Sequence, residues 1–231
     1  MKDIIINNLG QIDYQKAWDL QKEIFSGLIE AKINGVEKEM QILFVEHPHV
    51  YTMGAHGDRN NILFNDDFLK RIGAKYYNVE RGGDITYHGF GQLVGYPLLD
   101  LERLGLGVKQ YIWSIEEAII KTIAEYNIRG ERVPGATGVW IVNLDRKPAK
   151  ICAIGIKISR YITMHGFALN VTTNLEYFRY INPCGFTDKE VTSIEKESGF
   201  KPELAEVQEL FVKYFLNILQ IQKNSLNLQS Q

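Results

Sequence analysis

Lys150-Ile151-Cys152-Ala153-Ile154-Gly155-Ile156-Lys157-Ile158, then Ser159-Arg160-Tyr161, then Ile162-Thr163-Met164-His165-Gly166-Phe167-Ala168-Leu169-Asn170-Val171 is the stretch that decides the fold. Two runs rich in β-branched residues, set this close together, leave no room for a crossover helix, which takes a dozen residues or more. They predict an antiparallel hairpin. With Ser159-Arg160 as a two-residue turn, the returning strand sets Gly166 opposite Ala153 and Met164 opposite Gly155, with Ala168 one step further. Small residues then line one face of the hairpin, a face that accepts either a packed helix or a slender apolar ligand. Strict alternation sends Lys150 to the opposite face from Ala153 and Gly155, a conflict that a bulge or a strand end must resolve.

Working outward, further strands are expected at 41–46, 74–80, 93–97 and 138–143, bounded by polar or glycine-containing turns. Tyr14, Ala17, Trp18, Gln21, Ile24, Phe25 and Leu28 recur at helical spacing, as do Tyr111, Ile112, Ile115, Ala118, Ile119, Ile123 and Tyr126. A third amphipathic helix begins just past Pro202, with Leu204, Val207, Leu210, Phe211, Tyr214, Ile218 and Leu219 on its apolar side. Several strands lie too close together for a regular βαβ array. The expected class is therefore α+β: a mixed, largely antiparallel sheet sandwiched with helices. Without internal repeats or a linker-like stretch, 1–222 reads as a single domain and 223–231 as a short polar tail.

The chain's 231 residues and 45% hydrophobic content suffice for one sizeable core, and its net charge of −2 gives no reason to expect nucleic-acid or membrane-surface binding. Met1-Lys2-Asp3 leads quickly to polar residues rather than a signal peptide, and no apolar run reaches spanning length. Two cysteines, Cys152 and Cys184, are too few for a disulfide scaffold. The expected compartment is the cytoplasm.

The densest group of unusual residues is Arg81-Gly82-Gly83-Asp84-Ile85-Thr86-Tyr87-His88-Gly89-Phe90-Gly91-Gln92, read as the connection between two strands. Four glycines in one connection serve either a set of tight turns or the approach of backbone to a ligand, and Arg81 and His88 add donors beside exposed amides. A dinucleotide loop would need a third glycine and a following helix, and neither a Walker lysine, a Gly-x-Ser-x-Gly elbow nor a His-Glu-x-x-His site occurs. His47, His49 and His56 lack a carboxylate or cysteine at ligand spacing, so they read as a loop or cleft wall and no metal is expected. Cys184 lies in Asn182-Pro183-Cys184-Gly185, ahead of Thr187-Asp188-Lys189-Glu190, whose Thr-x-x-Glu spacing predicts a capped helix start. Such a position favours the thiolate, although a lone cysteine is more often a small buried apolar residue. A lysine at a strand start, as Lys150 is, normally ends in solvent.

Taken together, these segments resemble the lipoyl(octanoyl) transferases. The resemblance rests on 81–92, on Glu46-His47-Pro48 with Tyr51-Thr52-Met53-Gly54, on Lys150-Ile151, on His165-Gly166-Phe167-Ala168-Leu169-Asn170-Val171 and on Pro183-Cys184-Gly185, in family order from about Leu9 to Leu219. Phe90 departs from the family's usual proline, and Cys152 does not occupy its catalytic position. The resemblance implies the fold of the biotin and lipoate protein ligases, with Cys184 as the acyl-thioester nucleophile and Lys150 as the residue that lowers its pKa. It also implies a substrate cleft formed by Arg81, Gly82, Gly83, Asp84, Ile85, Thr86, Tyr87 and His88, by Ala153, Ile154 and Gly155, and by Gly166, Phe167 and Ala168. The implied partners are octanoyl-acyl carrier protein and the lipoyl domains of 2-oxoacid dehydrogenase complexes and the glycine cleavage H protein, with no cofactor. Rival expectations are an ATP-dependent lipoate or biotin ligase of the same fold and an acyl-binding module without turnover.

Overall fold

The structure, a computed structural model, describes residues 4–182 and 190–229, the side chains of 221–229 excepted. The chain runs β1 (Ile4–Gln11), α1 (Tyr14–Ile33), β2 (Met40–Glu46), β3 (Val50–Met53), α2 (Asp66–Arg71), β4 (Lys75–Asn78), β5 (Ile85–His88), β6 (Gln92–Leu98), α3 (Val108–Ala124), β7 (Glu131–Val133), β8 (Ala136–Asn143), β9 (Arg146–Ser159), β10 (Ile162–Asn170), β11 (Glu190–Val191), α4 (Ile194–Ser198) and α5 (Leu204–Gln229). The three long helices follow the apolar spacing in the sequence. The Asp13 carboxylate opens α1 by accepting from the Gln15 amide at 3.0 Å, meeting one of the amides a helix start leaves unpaired. The backbone of α5 continues through the segment read as a polar tail, whose residues up to Gln229 include no glycine or proline. Among the described residues no helix is long and apolar enough to cross a membrane.

The main sheet has the order β1-β2-β6-β10-β9-β8-β7, with β11 added beside β9. It is mixed and largely antiparallel, as expected, with parallel pairing among the described residues only at β1–β2 and β11–β9. One face packs on α3 and α5 through Phe44, Phe167, Ile115, Ile119, Phe211 and Phe215. The opposite face carries α1, where Ala17, Ile24, Phe25 and Leu28 meet Val94, Tyr96, Leu98, Ile162 and Met164. Each fully buried large apolar side chain in these layers contributes roughly 1.5–3 kcal/mol relative to exposure.

A second sheet, β4-β3-β5, corrects the reading of 81–92 as one connection. Thr86, Tyr87 and His88 pair with Thr52, Tyr51 and Val50, so the glycines bracket a strand instead of filling a loop. Short strands of this kind give too few alternating positions to stand out from a turn.

The β9–β10 hairpin also differs from expectation in its turn. Arg160 and Tyr161 form it, with φ of 50° and 64°, and Ser159 pairs with Ile162. Two successive positive φ values give a turn whose twist matches the flanking strands. Moving the turn by one residue sets Gly166 opposite Gly155 and Ala168 opposite Ala153. Because side chains alternate with a period of two, the small residues still share a face.

A bulge resolves the orientation of Lys150. Val139 pairs with Cys152 but Trp140 with Lys150, so β9 carries one residue more than β8 at this point. Ile151 and Cys152, though consecutive, are both wholly buried in the core beneath α3 and α5. Lys150 is thereby brought to the side of Ala153 and Gly155. Gly138 makes the close pass feasible: its φ is 122°, and a Cβ there would stand 2.5 Å from the Cys152 carbonyl oxygen.

Candidate active site

Between the small-residue face of β9–β10 and the three-stranded sheet lies a cleft. Arg81, Gly83, Asp84, Ile85, Thr86, His88, Lys150, Ala153, Ile154, Gly155, Gly166, Phe167 and Ala168 all line it. Gly82 borders an adjoining, more open hollow that shares Lys150, Ile154 and Gly155 with the cleft, so Lys150 stands where the two meet. Tyr87 is the exception among the residues expected there. Strand alternation turns its ring away, into the small sheet's own core, where it stacks on Tyr177 at 4.9 Å and its hydroxyl meets His49 Nδ1 at 2.7 Å.

Cys184 lies outside the described residues. On its C-terminal side, Val191 pairs with Lys150 and lines the cleft, and the Thr192 amide donates to the Lys150 carbonyl at 3.0 Å. The helix start expected at Thr187–Glu190 is corrected at its one described end: Glu190 belongs to β11, paired with Ala149. The next helix, α4, begins after Ser193, whose hydroxyl accepts from the Lys196 amide. A dipole argument for the thiol from a capped helix at that position therefore falls away. Cys152 is sealed in the core, where burial pushes its thiol pKa up.

Close approach of backbone to backbone accounts for the glycines around Arg81. The Gly82 amide donates to Ile156 O at 2.9 Å, seating the loop on an edge of β9 beyond the reach of β8. A Cβ on Gly155 would come within 2.9 Å of Gly82 O and 3.0 Å of Arg81 Cδ, and one on Gly54 within 2.3 Å of Gly83 O. Asp84 secures the other side of the loop. Its carboxylate accepts from the Asp58 and Ile85 amides and from Asn61 Nδ2.

A directional chain of hydrogen bonds crosses the cleft wall. Arg81 Nη2 donates to Thr52 O at 2.6 Å and to Thr52 Oγ1 at 2.8 Å, and Thr52 Oγ1 faces His88 Nε2 at 3.4 Å. His88 Nδ1 lies 2.8 Å from Gln92 Oε1, an acceptor, so the ring carries its proton there and leaves Nε2 to accept. Gln92 Nε2 then donates to Asn170 Oδ1 at 2.9 Å, and Asn170 Nδ2 donates to Thr192 O at 3.0 Å. The chain thus ends on β11, beside Lys150. Burial, with the nearby His47 ring and the Arg81 guanidinium opposing a second positive charge, holds the His88 pKa down to about 3, so the ring is neutral. His47 is likewise held to about 4 by burial, with Nδ1 at 2.8 Å from Ile12 O and Nε2 at 2.8 Å from Tyr96 OH. His49 is engaged by two tyrosine hydroxyls. Neither ring lines the cleft, which corrects the expectation from the sequence: His47 packs behind the lining residues His88 and Tyr96, His49 packs against Tyr87 and Tyr177, and His56 borders the open hollow. Among the described residues no cluster of three or more His, Cys, Asp or Glu side chains could hold a metal.

Further lining residues escaped the sequence reading: Tyr14, Gln92, Val94, Tyr96, His165, Asn170, Phe178 and Val191. Tyr14 and Tyr96 come from the same elements as core residues and carry no separate signal. His165 was assignable only to the opposite face. The Lys150 ammonium, at the cleft's junction with the hollow, lies 4.6 Å from the Trp140 ring centroid, a cation–π contact. The ensemble is an apolar slot with buried neutral polar groups on its walls and a cation at one end.

A family model described as "Lipoyl protein ligase A/B catalytic domain" matches residues 13–216. The octanoyltransferase of Bacteroides fragilis is 53% identical over 198 residues, 86% of this chain and 90% of that one. The octanoyltransferase of Christiangramia forsetii is 46% identical over 226 residues, 95% of this chain and 97% of that one. Among solved structures, a bipartite lipoate protein ligase from Thermoplasma acidophilum has a TM-score of 0.68 at 14% identity, covering 94% of this chain and 84% of that one. The biotin protein ligase of Aquifex aeolicus has a TM-score of 0.53 at 12% identity, covering 97% and 72%. At such identities the likeness concerns the fold.

Proposed function

The chain belongs to the lipoyl protein ligase A/B catalytic-domain family, and on that premise we propose that it is an octanoyltransferase acting through a Cys184 thioester. The donor in this reading is an octanoyl thioester of acyl carrier protein, and the acceptor is the amine of a lysine on a lipoyl domain. The observation that carries it is the apolar slot floored by Ala153, Gly155, Gly166 and Ala168, with Lys150 at one end and Val191 paired to it.

The chemistry requires little else. A free thiol is only a few per cent ionised near neutral pH, and a nearby ammonium favours the thiolate. The thiolate attacks the donor's carbonyl carbon, the carrier's thiol leaves with a proton, and the acyl group stays on Cys184. The acceptor amine then attacks that thioester and expels the thiolate, forming an amide. Lys150 is the group that would relay protons in both halves. Thioester exchange is nearly isoenergetic, so no nucleotide is consumed.

Incubation with octanoyl carrier protein followed by intact-mass measurement tests the reading. The wild-type chain should gain one octanoyl group and Cys184→Ser none; an unmodified wild type, or an equal adduct on the variant, would overturn it. The ligases that share the fold make an ATP-dependent reading the natural rival. That rival requires nucleotide consumption with free octanoate or lipoate, neither of which the transferase should activate or transfer.

A further inference from the structure

His165 sits in β10 with a left-handed backbone, φ 60°, which a non-glycine residue adopts only at a cost in strain. Alternation along the strand would send its ring with Phe167 toward α3 and α5. Instead the ring lines the cleft, edge-on to Tyr96 at 6.5 Å between centroids. Gln21 of α1 holds the distortion in place, its Oε1 accepting from the His165 amide at 3.1 Å. The residue is 1% exposed, and its Nε2 is a buried atom without a hydrogen-bond partner. Backbone strain and an unsatisfied buried nitrogen thus coincide on one side chain that faces the slot, a combination expected where function rather than packing sets the geometry. Burial, reinforced by the Arg81 and Lys157 charges, keeps the ring neutral with a pKa of about 3, so Nε2 is free to exchange a hydrogen bond without carrying charge.

Position along the strands gives this nitrogen a role. His165 pairs with Ile156, five strand steps from Lys150 once the bulge is discounted, or roughly 16 Å. An extended eight-carbon chain spans about 9 Å. Ordinary contact distances at both ends, about 3.5–4 Å each, fill the remainder. Along the strand backbones, the run from Lys150 to His165 thus matches the length of a medium-chain acyl group with its contacts at both ends.

Resting on the acyl-slot reading above, we propose that His165 is the far end wall of the slot and a specificity-determining residue. Its Nε2 hydrogen-bonds a hydroxyl on the last carbon of a medium-chain acyl group, and its ring stops apolar chains longer than that. The slot accordingly accepts ω-hydroxyacyl groups as a second substrate class beside unsubstituted ones. An apolar pocket without such a partner would reject the hydroxyl.

Calorimetric titration of the full chain with octanoate, 8-hydroxyoctanoate and decanoate tests the proposal. Wild type should bind 8-hydroxyoctanoate within about threefold of octanoate, and decanoate at least about tenfold more weakly. In His165→Leu the hydroxy acid should fall about tenfold or more relative to octanoate. His165→Gly relieves the left-handed strain, so it should stay folded. It should show the same loss, with decanoate rising to within about threefold of octanoate as the end wall is removed. Unchanged ratios in both variants, or a wild type that rejects the hydroxy acid by more than about tenfold, would overturn the inference while the acyl-slot reading stands. Failure of wild type to bind octanoate at all would remove both.

Discussion

Lys150 reaches the cleft because β9 carries one extra residue opposite β8, and Gly138 lets the two backbones pass closely there. If its ammonium stabilises the Cys184 thiolate, Lys150→Ala should raise the pH of half-maximal alkylation of Cys184 by about one unit or more. Intact-mass measurement of iodoacetamide labelling across pH would read this cleanly, because Cys152 is wholly buried and should not compete. An unchanged profile would contradict the assigned role. The identity of Cys184 and Lys150 as candidates was legible through the family motifs that carry them. The orientation of Lys150 was not, since a bulge depends on pairing with a second strand and leaves no local mark.

At the scale of elements, the floor of the slot depends on two hairpin glycines that do different work. A Cβ on Gly155 would press on Gly82 O at 2.9 Å and Arg81 Cδ at 3.0 Å, only just inside the closest contacts that real side chains make. A Cβ on Gly166 would come within 2.1 Å of Gly95 O, in the middle of paired strands with nowhere to go. Gly155→Ala should therefore fold well yet weaken octanoate binding about tenfold, by lifting the Arg81 loop off the slot. Gly166→Ala should lose about 2 kcal/mol or more of stability, or roughly 4–8 °C in Tm. Thermal melts of the two variants beside octanoate titration would separate these effects, and equal melting points would count against the distinction.

For the whole molecule, three buried neutral histidines, His47, His88 and His165, meet where α1, the main sheet and the small sheet converge. Their folded pKa values, about 4, 3 and 3, lie below the 6.5 of an exposed imidazole. Between those limits the unfolded chain binds protons that the folded chain refuses, so stability rises with pH up to about 6.5 and then levels. At pH 5 unfolding should take up roughly three protons through these side chains. Urea melts at pH 5, 6 and 7.5 would register this as a steep loss of stability on the acid side. A flat profile between pH 5 and 7 would show that the rings are charged in the folded state.

Local pattern alone determined the three long helices, the central strands, the antiparallel class and the shared face of small residues, because each rests on a spacing that neighbouring positions repeat. Short strands such as β3 and β5, the displaced hairpin turn, the aim of Lys150 and the inward turn of His165 were decided only by tertiary structure. In each of these the residue's own preference is weak or opposed, and a partner distant in the chain settles the outcome. Pairing with Val50–Met53 makes β5 a strand, β8 imposes the bulge, and Gln21 holds His165 in a backbone conformation that its own sequence disfavours.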